Sequence, residues 1–451
     1  MAFILSLEGS HNRTMTLLIL LLAVLLLVLL ITVIKLHPFI SFLIVCILTG
    51  LCKGMDVGQI TGSVQKGIGE LMGSLMVILC VGAMLGKLVA DSGAANKIAS
   101  GLIQAFGTKR IQWALVLTAF IVGIPLFYGV GFVLLVPLVI TVATRYKLPA
   151  VYLGLPTLAA LSVTHGFLPP HPSPVALAEQ FHADMGMTLL YGMMIAIPAI
   201  IIAGPVFSIT LKKYTNKPLA IFASNDIPED KLPGMFPSLL AAFLPVLLIA
   251  ADTIVKVIIP QKNDFTKIIH TLGDPSIAML LSLLIAIYTL GIRQGKNIKT
   301  IMAPMGDAVK DISGILLIIA GAGALKQILL DTGISNELIQ PLTTLAIHPL
   351  LLAWGISAIL RVSIGSATVA GLTAAGIVAP MIASSGVNPC LMVLATGAGS
   401  LFFSHVNDPG FWMFKEYFNL TVKETIKTWS VMETIVSLAG LIGVFIINYF
   451  I

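Results

Sequence analysis

The chain has 451 residues, of which 57% are hydrophobic and only 10% charged, with a formal net charge of +6. A soluble fold of this length could not bury so much apolar surface, so the composition excludes an ordinary globular protein. The basic residues lie in short loops between apolar runs, where they set topology and give no reason to expect a nucleic-acid partner.

Many apolar runs reach the roughly 20 residues that a bilayer core requires, which predicts an all-α polytopic membrane protein. Residues 16–34 are nearly all Leu, Ile and Val and read as a first span. No small-residue cleavage site follows it, so it reads as a retained anchor. Lys35, Leu36, His37 and Pro38 turn the chain into a second helix over 39–52. Residues 53–69 are mixed and Gly-rich and predict an interfacial helix. A third span is expected over 68–90, ended by Asp91-Ser92-Gly93, and then a short surface helix over 94–106. Residues 111–144 have basic ends, Lys109 and Arg110 before and Arg145 and Lys147 after, and helix breakers from Gly123 to Gly131. Each half is short for a crossing, and matching positive ends put both on one side. A re-entrant hairpin with its tip at 125–129 follows, with two short tilted spans as the alternative.

Residues 149–163 predict a helix that breaks over 164–174, and 188–211 a further span. Residues 212–234 are the most polar stretch and divide the chain into a first repeat, 1–211, and a second, 235–451. In the second repeat, spans are expected over 237–257, 277–291, 312–330 and 429–449, a hairpin over 349–384 with its tip at 361–368, and a helix over 391–403 that breaks at Ser404. The halves echo each other: His405 follows His165, Pro409 follows Pro169 and Asp331 follows Asp91, each by 240 positions. Each half then has about five crossings and one hairpin, and an odd number of crossings inverts the second half relative to the first. Residues 91–112 carry Lys97, Lys109 and Arg110, whereas 331–348 carry no Lys or Arg, as inversion requires. The same rule puts 212–234, 293–310 and 408–427 in the cytoplasm and both termini outside.

Two tips and two breaks should meet near the midplane. Half-helix N-termini there suit a carboxylate. Ser363, Ser366 and Thr368 add hydroxyls at one tip, and Gly365 allows close backbone approach. Tyr128 and Gly129 form the other tip. Thr164, Ser404 and Asn407 can bond hydroxyls or the carboxylate. His165, His405 and Asp408 are candidates for proton coupling; as plain structure, each histidine would staple a broken helix, and Asp408 would cap a turn. Arg361 either pairs with an anionic substrate or snorkels to the surface. Lys87 and Lys326 are expected to snorkel. The aromatic set Phe411, Trp412, Phe414, Tyr417 and Phe418 reads as an interfacial belt, with substrate stacking as the alternative. Cys46, Cys52, Cys80 and Cys390 form no CxxC pair and read as small core residues. No cofactor or metal is expected. No phosphate-binding loop and no nucleophile–base constellation stands out, which argues against an ATP-driven pump and a membrane enzyme.

The runs His165-Gly166-Phe167-Leu168-Pro169-Pro170-His171-Pro172, Gly365-Ser366-Ala367-Thr368-Val369-Ala370 and Ser404-His405-Val406-Asn407-Asp408-Pro409-Gly410-Phe411-Trp412 resemble the gluconate permease family. The likeness runs from about His37 to the C-terminus. It implies inverted repeats with re-entrant hairpins, a bacterial inner-membrane location, a homodimer, and a proton-coupled symporter for gluconate or a related sugar acid. Relatives of that family that carry D-serine lack the His-Val-Asn-Asp-Pro-Gly run. The expectation is therefore alternating access around a small anionic substrate and a coupling ion, the proton before sodium. The alternatives are a permease for another hydroxy acid or a D-amino acid, or a membrane enzyme or sensor on the same fold.

Overall fold

The structure, a computed structural model, describes residues 2–214, 232–259, 263–334, 337, 347–379 and 385–451, with only the backbone for residues 2–14, 17 and 257. Regular structure among the described residues is helical, and eight of these helices are long and apolar enough to cross a membrane. Most of the expected linker (215–231), part of the loop after Asp331, and the end of the second hairpin (380–384) lie outside the described residues.

Helix α1 spans Ala2–Thr32 and α2 spans Pro38–Cys52, with Pro38 in the first turn, where a missing N–H does no harm. The next helix, α3, runs unbroken from Val57 to Asp91. This corrects the expected interfacial helix over 53–69 followed by a separate span. The start is fixed by a reciprocal cap: Gln59 N donates to Asp56 Oδ1 at 2.9 Å and Asp56 N to Gln59 Oε1 at 3.0 Å. Three glycines inside α3, Gly67, Gly82 and Gly86, mark close approach instead of a break. A Cβ on Gly67 would strike the carbonyl of Gly323 in α13 (Ile298–Asp331), and one on Gly323 would strike the carbonyl of Gly67. Helix α13 also begins fourteen residues before the expected 312, so Lys299 and Lys310 belong to the helix and not to a loop.

Helices α4 (Ala94–Phe106), α5 (Ile111–Gly123) and α6 (Tyr128–Tyr146) follow. The last two are joined by the breaker-rich residues 124–127. Helix α7 (Ala150–Phe167) continues through Thr164, and the break falls over 168–171, before α8 (Pro172–Phe181). Helix α9 (Met185–Ile201) runs on through a π-helical turn, Ile202–Val206. After the linker come α10 (Met235–Ile258), an unexpected short helix α11 (Asp264–Gly273), and α12 (Pro275–Ala286). After α13 come α14 (Pro349–Ile364), α15 (Ala367–Val378), α16 (Pro389–Gly399), α17 (Pro409–Tyr417), α18 (Val422–Thr425) and α19 (Val431–Phe450).

Helices α3 and α13 form the most extensive pairing and run antiparallel: Ser63, early in α3, donates to Asp331, the last residue of α13, at 2.6 Å. The expected aromatic belt is mostly core. Phe411, Phe414 and Phe418 are fully buried because α17 folds back onto Trp429, whose ring lies 5.4 Å from that of Phe414; only Trp412 is well exposed. Lys326 does not snorkel either. Its ammonium reaches the carbonyl of Gln180 at 3.2 Å, near the C-terminus of α8, where the helix dipole favours a cation.

Candidate functional site

Helix ends leave backbone groups unpaired, and inside a membrane protein those groups must find partners. The two interrupted segments, 168–171 and 400–408, supply them to the two tips. At the first tip, α5 ends at Gly123, whose carbonyl lies 3.1 Å from His171 Nε2. His171 Nδ1 lies 3.4 Å from His165 Nδ1, and the ring of His165 packs 5.7 Å from that of Tyr128 at the start of α6. At the second tip, Asn407 Nδ2 donates to the carbonyls of Val362 (2.7 Å) and Ser363 (3.4 Å), and His405 Nε2 lies 3.0 Å from the carbonyl of Val362. In both places a side chain from the break closes the C-terminus of the first hairpin helix.

Gly365 turns the second tip with φ of +84°, and a Cβ there would collide with the main chain of Asn407. Ser366 then caps α15, accepting from Val369 N at 3.4 Å. Arg361, in the last turn of α14, is 4% exposed and ion-paired with Asp408; it also donates to the carbonyl of Gly365. Arg361 thus turns inward onto Asp408 and does not snorkel. Asp408 in addition accepts from Ser404 Oγ and from Gly410 N, the latter at 2.8 Å. Trp429 Nε1 donates to Ser404 Oγ at 2.8 Å, and its ring lies 6.4 Å from Tyr128, which ties the second break to the first tip.

The expected residues therefore gather at one junction, with differences in role. Tyr128 is half-buried and Gly129 exposed. Thr164 is fully buried, donates to Leu161 O at 2.9 Å, and packs against the position of a Cβ on Gly123. Ser363 donates its hydroxyl back to Ile359 O at 2.9 Å and meets the junction through its carbonyl. Thr368 is buried in the first turn of α15. Two buried polar atoms at the second tip and break have no hydrogen-bond partner: Arg361 Nε and Asn407 Oδ1.

Sequence reasoning did not single out Ser162, Trp429 and Glu433. Glu433 is 2% exposed on α19 and accepts from Ser162 Oγ of α7; its second oxygen, Oε2, has no partner. The one signal for it is an acid inside an expected span. His171 is legible only as part of the quoted Pro-rich run.

Comparison with known proteins agrees with this architecture. The chain is 48% identical to a high-affinity gluconate transporter of Escherichia coli K12, over 92% of this chain and 95% of that one. It is equally similar, at 48% over 92% and 94%, to the Gnt-II system L-idonate transporter of the same organism. A gluconate permease of Bacillus subtilis 168 is 44% identical over 90% and 94%. Among solved structures, the YdaH transporter of Alcanivorax borkumensis superposes with a TM-score of 0.67 at 17% identity, covering 91% of this chain and 98% of that one. Neisseria gonorrhoeae MtrF, from a class of antimetabolite efflux pumps, superposes with a TM-score of 0.64 at 15% identity, covering 87% and 84%. The family model for GntP family permeases matches residues 15–450, and the chain belongs to that family: it is a multi-pass membrane permease, not an enzyme.

Proposed function

We propose that this permease imports gluconate or a closely related sugar acid together with protons, by alternating access between two inverted repeats. The observation that carries the substrate reading is the pair of unpartnered buried atoms at the second tip: Arg361 Nε, a cationic donor, and Asn407 Oδ1, an acceptor. A sugar acid presents a carboxylate next to a run of hydroxyls, and needs one group of each kind side by side. Burying either atom without a partner costs about 1–3 kcal/mol, which a bound hydroxy acid would offset. In this reading the carboxylate competes with Asp408 for Arg361. Ser366, Thr368 and the first N–H groups of α15 complete the carboxylate site. Tyr128, Gly129, Ser404 and Asn407 face the polyol, and Thr164 and Ser363 hold the tips in place. His165, His405 and Asp408 are candidates among the junction's titratable groups for proton coupling. The named gluconate and idonate transporters among the relatives support the same substrate class.

The test is uptake of labelled gluconate into proteoliposomes under an imposed inward proton gradient and, separately, a sodium gradient. Uphill accumulation with protons alone is expected. If gluconate is inert while another hydroxy acid or a D-amino acid accumulates, the substrate reading falls. Accumulation with sodium alone would overturn the proton reading.

A further inference from the structure

Four titratable groups at the junction have partners that give each one role in this arrangement. Asp408 is matched by a guanidinium, a hydroxyl and a backbone N–H, which is full provision for an ionised carboxylate. His405 and His171 each place a ring nitrogen on the last carbonyls of a hairpin helix, and His165 is tied to His171. Glu433 differs. It contacts no cation, one oxygen takes a single hydroxyl from Ser162, and the other takes nothing. An ionised carboxylate buried this way would cost several kcal/mol, whereas a carboxylic acid fits with far less penalty.

The surroundings agree. The elements packed on α19 carry few charges: α9 and α16 contain no Asp, Glu, Lys, Arg or His, α7 contributes His165, α14 contributes Arg361, and the π-helical turn before α19 contributes Lys427. Arg361 and Asp408 act on Glu433 from the second tip with opposite signs. Glu433 and Ser162 are also neighbours of Tyr128 at the first tip. Glu433 thus stands between the tip of one repeat and the ion pair of the other.

We infer that Glu433 is the carboxyl that takes up and releases the transported proton, with Ser162 holding it in place beside Tyr128 and the Arg361–Asp408 pair. The proton binds Glu433 when the ion pair is closed. Substrate that draws Arg361 from Asp408 makes the junction more negative and holds the proton more tightly; the proton leaves once the substrate has been released to the cytoplasmic side. This rests on the proton-coupled reading above.

The experiment has two arms on purified protein, wild type against Glu433→Gln, which keeps the shape and an acceptor for Ser162. In the first, infrared spectra at neutral pH are compared in the region of the carbonyl stretch of a protonated carboxylic acid. A band present in wild type and in Asp408→Asn, but lost in Glu433→Gln, is expected. The same band in all three would overturn the assignment. In the second arm, Glu433→Gln is expected to lose proton-driven uphill gluconate uptake while keeping gluconate exchange across the membrane at equal pH. Wild-type accumulation by Glu433→Gln would overturn the coupling role. Loss of both activities in a variant with an unchanged melting temperature would also overturn it, since it would place Glu433 in substrate binding. A wild type that shows the band but no gluconate transport would sink the substrate reading and leave the protonated carboxyl standing.

Discussion

Arg361 is the residue on which the second tip depends most. Its charge is 4% exposed and its partner Asp408 only 14%. Removing one member of such a buried pair typically costs about 3–5 kcal/mol, because the other is left charged and alone. Arg361→Gln should therefore lower the thermal stability of the detergent-solubilised protein by that order. Arg361→Gln combined with Asp408→Asn should recover most of it, since no lone charge remains and Ser404 can still donate to the Asn oxygen. The double variant should nonetheless fail to accumulate gluconate. If it is as unstable as the single variant, the ion pair is not what holds the tip. Gly365→Ala is a second test at this scale. A left-handed Cβ costs about 1–2 kcal/mol, and here it also meets the main chain of Asn407. Loss of stability together with loss of uptake is expected, and a variant that keeps normal uptake would show that Gly365 and Asn407 can separate freely. The importance of Arg361, Asp408, Ser404 and Asn407 is legible in the sequence because polar residues crowd where a helix should simply pass. Glu433 is harder to see: its partner Ser162 lies on a different helix of the other half, and nothing local announces the contact.

At the scale of elements, α3 shows what a sequence can and cannot say. The Asp56–Gln59 cap is written locally and marks the start of the helix. The glycines that follow are ambiguous, since glycine marks either a break or a close approach, and only the partner helix decides. Gly67 lies against the backbone of Gly323, whereas Gly62 and Gly69 face open space. The two kinds of glycine should respond oppositely. Gly62→Ala and Gly69→Ala should each stabilise α3 by roughly 0.5–1 kcal/mol, by removing backbone freedom from the unfolded chain. Gly67→Ala should destabilise by about 1–3 kcal/mol, because the added carbon must force two helices apart. Melting temperatures of the three variants in the same detergent check this, and equal shifts of one sign would mean that the α3–α13 crossing yields easily. The same distinction explains why the turns over 124–127 and at Gly365 fall where the breakers are, while the breaks lie a few residues from their expected positions. A tip is fixed by local breakers, but α7 runs on past Thr164 because its packing against α5 outweighs the local polarity.

The whole molecule raises the question of sidedness, and the antiparallel pairing of α3 with α13 bears on it directly. Both helices end in the same way, at Asp91 followed by Gly93 with φ of +80° and at Asp331 followed by Gly333 with φ of +74°. Ser63, near the start of α3, bonds Asp331 at the end of α13, so the two matching C-terminal turns lie at opposite ends of the pair. Lys53 extends this link, reaching Thr16 at 2.9 Å and Glu337 at 3.3 Å beyond α13. If both helices cross the bilayer, those turns face opposite compartments, and loop charge selects which is which. Lys97, Lys109 and Arg110 follow the first turn, and no Lys or Arg lies between Asp331 and His348. The first turn should be cytoplasmic and the second external. With the four native cysteines replaced, Ser92→Cys should react with a membrane-impermeant maleimide only in inside-out vesicles, and Thr332→Cys only in intact, outer-membrane-permeabilised cells or right-side-out vesicles. Reaction of both from one side would rule out inversion of the two repeats, because no odd number of crossings then separates them. Opposite sides in the reverse sense would keep the inversion and turn the permease over, which would place the linker outside despite its charge.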